Sequence, residues 1–262
     1  MVSSIGSYST AQTGNAVAFK AASATELVSD ASKNQGASGT QGGGTLTIST
    51  LASQLADSAS RAEARDKMLS RSELADKANS LLDQILGDAY QANKAKYNNE
   101  VPKTDDPELL ARAKQATEFV TSSDRGSRSV KNPFGSLSRE QLSNIIYDDS
   151  GNYTINERRA AYYESDDREQ AWRVKVAAQA MDEYNRTGKM TNFFSSVLDH
   201  FKELPTIEQA QYPKDYASDL ESKISRDFNY RTHQAEGKSE NPMNLIEMLL
   251  SSNPEVAKQS DS

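Results

Sequence analysis

The stretch YDDSGNYTINERRAAYYE, residues 147–164, holds the oxygen-bearing side chains whose spacing comes nearest to a chemical site. With Gly151 as the turn glycine of a twelve-residue calcium loop, Asp148, Ser150, Asn152, Thr154 and Glu157 fall on ligand positions 3, 5, 7, 9 and 12. Hard cations take such oxygens, with Asn152 offering its backbone carbonyl and Glu157 a bidentate carboxylate. Position 1, however, is Ile146. The ligand that anchors the entering helix is missing, so the pattern predicts calcium affinity no tighter than about 10⁻⁴ to 10⁻³ M. A second loop, EYNRTGKMTNFF, keeps an acid (Glu183) at position 1 and loses the one at 12, where Phe194 stands. The two turn glycines, Gly151 and Gly188, are about one helix-loop-helix length apart. This spacing predicts a degenerate EF-hand-like pair in which Tyr153 approaches Met190 and Ile145, Tyr162, Trp172, Val176, Phe194 and Val197 share one core. The competing expectation is two ordinary turns, each with glycine behind a helix end and threonine ahead of the next.

Other chemistry is thinner. The chain has no cysteine, which excludes disulfides, thiolate nucleophiles and zinc-thiolate or iron-sulfur sites. Its two histidines, His200 and His233, sit on different predicted elements, and no Walker A or GxGxxG loop is present. GGG at 42–44 has no strand before it. No catalytic residue is assigned. A net charge of −7 argues against nucleic acid as a partner, since the best basic stretch, SDRGSRSVK, lacks aromatics for base stacking. No run reaches the roughly 18 apolar residues of a membrane span.

The elements that must position these loops read as all-α. Ser70-x-x-Glu73, Ser138-x-x-Gln141 and Thr154-x-x-Glu157 are capping boxes, and Asp106-Pro107 is an N-cap followed by proline at N1. Helical periodicity follows each one, as at Leu74, Ala78, Leu81 and Ile85. Ser165 predicts a new N-cap for a helix ending at Gly188, and Thr191 one for the helix after it. Further helices fit PKDYASDLESKISRDFNYR and NPMNLIEMLLS. The organisation expected is a disordered Ser/Thr/Gly/Ala-rich tail at 1–47, a helical hairpin region at 48–122, a linker at 123–133, a helical domain at 134–252 containing the EF-like units, and a flexible end at 253–262. At 36% hydrophobic and 7% aromatic, the chain is too lean to pack throughout. The aromatics Trp172, Tyr184, Phe193, Phe194, Phe201 and Phe228 recur at helical spacings and read as core.

EARDKMLSRSELADKANSLLDQIL, DDPELLARAKQATEFV, NPFGSLSREQLSNIIYDDSGNYTINERRAAY, AQAMDEYNRTGKMTNFF and FNYRTHQAEG together resemble a family of uncharacterised bacterial proteins. The resemblance implies a bacterial origin and a Ser-rich tail ahead of a helical body, and it carries no activity or site residue. The expected function is a non-enzymatic helical interaction protein with a protein partner, cytoplasmic or exported without a cleaved signal peptide. A weak calcium-binding EF-hand-like module is the alternative, and an enzyme of unrecognised class the third.

Overall fold

The computed structural model describes residues 50–127 and 129–237, all within the compact unit Ile48–Ser262. The expectations for the tail at 1–47, for 253–262 and for a helix over NPMNLIEMLLS lie outside the described residues. Within them the fold is helical: α1 (Thr50–Met68), α2 (Arg71–Leu86), α3 (Asp88–Asn98), α4 (Pro107–Ser123), α5 (Arg139–Ile146), α6 (Ile155–Thr187), α7 (Thr191–Lys202), α8 (Thr206–Gln209) and α9 (Tyr216–Arg226). A two-residue antiparallel pair, β1 (Phe228–Asn229) and β2 (Gln234–Ala235), completes it.

The helix starts match the local chemistry. Ser70, Ser138 and Thr154 each close a full capping box with Glu73, Gln141 and Glu157, while the Asp106 carboxylate accepts from the backbone N–H of Glu108 and Leu109 ahead of Pro107. Four helices, α2, α3, α4 and α5, then pack against the first half of α6. Leu74 and Ile85 of α2, Val120 of α4, Ile145 of α5 and Ala160 of α6 belong to one buried cluster, which also includes Ile207 of α8. The expected separation into a hairpin region and a later domain across a linker is therefore not what the packing shows. Elements from both sides of 123–133 share a core, and Asn132 within that stretch is itself buried, donating to Ala160 O at 2.8 Å.

The largest departure concerns α6. The sequence predicts two helices over 154–188, broken at Ser165, yet α6 runs unbroken for 33 residues. No glycine or proline interrupts it. Ser165, Asp166 and Asp167 are partly or fully exposed, where their propensity cost is only a few tenths of a kcal/mol per residue. Glu164–Arg168, Glu169–Arg173 and Asp182–Arg186 add i,i+4 pairs along its length. A helix of this length spans about 48 Å, so the two glycine loops sit at its opposite ends. They do not pair, and Tyr153 is buried at one end while Met190 begins α7 at the other. The six residues expected in one core also divide: Ile145 lies in the main cluster, whereas Val176 lies in a shallower seam with Leu198, Phe201 and Leu220 between α6, α7 and α9.

Thr191 does not cap α7. The N–H groups of Asn192 and Phe193 donate instead to the Glu183 carboxylate of α6, at 2.9 and 3.0 Å, so the acid expected at loop position 1 serves as the cap. The helix predicted to run through residue 231 stops at Arg226 because Asp227 takes a left-handed φ of 43°. Gly188 ends α6 at φ 78°, and a Cβ there would lie 2.5 Å from Asn229 Oδ1. Gly151 has a similar φ of 83° with open space around it. Gly188→Ala is accordingly expected to cost about 2 kcal/mol or more, and Gly151→Ala only about 1 kcal/mol. Parallel thermal melts of the two variants check this, and equal losses would contradict it.

Candidate functional site

The loop at 147–157 places every oxygen of the expected calcium shell in a bond to the protein itself. Asp148 Oδ2 meets Arg61 Nη2 at 2.5 Å, and its Oδ1 accepts from the Ser150 N–H at 2.8 Å and from Ser150 Oγ. Burial pushes the Asp148 carboxyl up, but the hydrogen bonds from Ser150 and Arg61 outweigh it and hold it below the usual carboxylate range. The Asn152 carbonyl accepts from Gln54 Nε2 at 2.7 Å, and Thr154 Oγ1 caps Glu157. Glu157, fully buried, accepts from Arg112 Nε at 2.8 Å and from the Thr154 N–H at 2.8 Å. Among the described residues no group of three or more His, Asp or Glu side chains stands close enough to hold a metal ion.

A calcium ion would have to displace Arg61 from Asp148 and Arg112 from Glu157. Millimolar calcium is thus expected to leave the melting temperature unchanged, because binding stabilises only in proportion to ln(1 + [L]/Kd). A rise that vanishes in Asp148→Asn would overturn this.

The residues just after the loop account for its construction. Asn156, Glu157, Arg158 and Arg159, four polar residues in a row, are all buried where α6 enters the bundle. Asn156 accepts from Tyr90 OH at 2.9 Å and donates to the Tyr97 carbonyl. Arg158 donates to Ile146 O, Leu81 O and Gln84 Oε1 at 2.9 to 3.0 Å. Arg159 donates to Ile85 O, pairs with Asp124 at 3.2 Å and lies 4.0 Å over the Tyr90 ring. The two cations sit against the C-terminal ends of α2 and α5, where the helix dipoles favour positive charge. This polar block fixes the bundle, and it is closed to solvent.

The open site lies at the other half of α6. Trp172, Val176, Phe193, Val197, His200 and Tyr212 are among the residues lining a groove of about 390 Å³ between α6, α7 and the segment leading into α9. Trp172, Phe193 and Val197 remain partly exposed, so these residues, expected as core, form a wall open to water. Phe201 is the buried floor and stacks edge-on against Tyr212 and Tyr216 at 5.3 and 5.1 Å. The His200 ring lies parallel to the Trp172 indole at 3.6 Å. Its Nε2 is 2.8 Å from Glu169 Oε2, which also accepts from Arg139 Nη2 at 3.0 Å. Arg139 Nε faces the largely buried Glu208 at 3.5 Å.

Burial pushes the His200 pKa below 6.5, and the hydrogen bond and charge of Glu169 only partly oppose it. Glu169 is pushed up by burial but held below the usual range by His200 and Arg139, whereas burial raises Glu208 despite Arg139. A histidine whose folded pKa is depressed binds fewer protons folded than unfolded as pH falls through 6.5, so acidification from pH 7 destabilises the chain there. Glu208 opposes this at lower pH, since its raised folded pKa lets the native state take up a proton first. His200→Gln is expected to flatten the stability-versus-pH curve around pH 6. Urea melts at pH 7.5 and 5.5 check it, and an unchanged slope would contradict it.

Trp172 and His200 lie on separate helices with no local motif joining them, and Arg139 and Glu208 come from elements farther away still. The one legible signal was the helical recurrence of aromatics. Comparison of the chain with protein-family models, with curated protein sequences and with solved structures gives no match.

Proposed function

We propose that this chain is a non-enzymatic helical interaction protein that receives an amphipathic helix of a protein partner in the groove of Trp172, Val197 and Phe193. The observation carrying this reading is an aromatic and aliphatic trough between α6 and α7, with Glu169, Arg173 and Arg139 along one rim. Exposed apolar patches with polar rims are how helix-binding proteins present anchor pockets. The Glu169–His200 pair could move a proton, but among the described residues lining the groove there is no serine or threonine to act as its nucleophile, and Trp172 covers one imidazole face.

The test is a display selection of amphipathic helical peptides on the wild-type protein, with Val197→Glu as the counter-target. The chain has a single tryptophan, so docking reads directly as a blue shift of Trp172 emission. Enriched peptides are expected to bind at micromolar Kd and to lose at least tenfold on Val197→Glu. A pool that binds both proteins equally, or none at all, rejects the reading. Export without a cleaved signal peptide is a separate proposal resting on the composition of the first 30 residues, and a reporter fused to them that stays inside a bacterium exporting such substrates would retire it.

A further inference from the structure

We infer that the outward face of α6 from Ala171 to Tyr184 is a self-association surface, on which a second copy of this chain packs the same face antiparallel in a weak, reversible dimer. The inference does not rest on the groove, with which this face shares only Ala177.

The face exists because α6 outruns the helices packed against its first half. Arg168 still reaches the Gly135 and Leu137 carbonyls, at 2.9 and 2.6 Å. Beyond it the buried positions are Val176, Ala180 and Glu183, on the side of α7. Ala171, Val174, Ala177, Ala178 and Met181 stand on the opposite side, and all are exposed. A helix face in water ordinarily carries charged and polar residues. Here Val174 is 72% and Met181 67% exposed, about two turns apart with Ala178 between them, and Tyr184 continues the row at 40%. Three of the six large apolar side chains exposed among the described residues thus fall on this one stretch. Such clustering marks an interaction surface, whereas singly scattered apolar residues do not.

Charge complementarity identifies the occupant as a second copy. Lys175 and Asp182 border the row on one flank, about two turns apart, and both are exposed. In a two-fold antiparallel pair of helices each flank meets the same flank of its partner in reverse order. With the axis beside Ala178, Val174 stands within one residue of the level of Met181 of the partner subunit, and Lys175 within one residue of the partner's Asp182. The face therefore matches itself, apolar row on apolar row and opposite charge at both symmetry-related pairs. Alanine at the axis lets the two backbones approach closely.

The size of the seam sets the strength. Residues 171–184 span about 21 Å of helix, which places the contact among small transient interfaces burying less than about 1,200 Å². Association is expected at a Kd of about 10–100 μM, not as a permanent dimer.

Sedimentation velocity of the full chain, from about 2 to 300 μM in about 0.15 M salt, is expected to show a reversible monomer–dimer shift that Val174→Glu with Met181→Glu weakens at least tenfold. Both positions are exposed, so that variant should keep the wild-type melting temperature at low micromolar concentration. Charge reversal reads the register. Lys175→Glu or Asp182→Lys alone sets like charges at both pairs and should weaken association at least threefold. An equimolar mixture of the two variants restores opposite charges at both pairs of the mixed dimer and should regain wild-type affinity. A chain that stays monomeric at 300 μM, a dimer untouched by Val174→Glu with Met181→Glu, or a mixture no tighter than either variant alone overturns the inference. Val197→Glu, in the groove, is expected to leave the dimer intact, and loss of the dimer in that variant would place the second copy in the groove and reject this face. Peptides that still discriminate Val197→Glu on a strictly monomeric chain would reject self-association while the groove reading stands.

Discussion

Glu157→Ala is expected to destabilise the protein by about 3–5 kcal/mol, the cost of leaving one member of a buried ion pair without its partner. The Arg112 side chain is 10% exposed and its charge is placed between the Phe134 and Tyr153 rings, at 5.7 and 5.3 Å, with Nη1 already lacking a hydrogen-bond acceptor. Removing Glu157 takes away the only carboxylate paired with that guanidinium among the described residues. It also opens the Thr154 capping box, worth about a further 1 kcal/mol. For a domain of this size the melting temperature should fall by about 10 °C. The double variant Arg112→Met/Glu157→Met separates pairing from packing, because removing both charges leaves no uncompensated ion and should recover most of the loss. A single-variant loss below about 1 kcal/mol, or a double variant as unstable as the sum of the singles, would show that the pair is not coupled.

Arg158→Met should cost about 2–4 kcal/mol by another route. Methionine can fill the path of the arginine stem, so the loss is mainly of hydrogen bonds: Ile146 O, Leu81 O and Gln84 Oε1 all lose a charged donor in a buried position. No carboxylate is bonded to Arg158 in that set. The variant therefore reports on the capping of α2 and α5 rather than on an ion pair. Arg186→Met provides the contrast, since its pair with Asp182 is exposed on both sides, at 65% and 69%, and should change stability by no more than about 0.5 kcal/mol. Urea melts of the two variants, with m-values compared, decide the matter. Equal midpoints would refute the capping role, and a changed m-value in Arg158→Met would point to a loosened native state.

Helix existence and most helix starts could be read without the fold because their causes are local. Ser70, Ser138 and Thr154 reach a backbone N–H three residues away, and Pro107 has its φ set by its own ring. Gly188 reads as a helix end for the same reason, since only a residue free of Cβ strain takes φ 78° cheaply. Ser165 shows the limit of such reasoning. It satisfies the same cap rule, but a cap forms only where the preceding turn unwinds, and nothing before Ser165 makes it do so.

The 147–157 loop was legible as a motif, but the partners of its acids were not. Asp148 bonds with Ser150 and Glu157 with Thr154, and the counter-charges of the two acids come from Arg61 and Arg112, which are brought there by α1 and α4. The groove was hidden for the related reason that Trp172 and His200 acquire meaning only when α7 folds back along α6. Sequence by itself determined the turns, caps and amphipathic faces, because hydrogen bonds and dihedral limits act over three or four residues. Only the tertiary structure decided which polar residues are buried and which aromatics stay in water, because burial depends on which distant helix arrives to exclude the solvent.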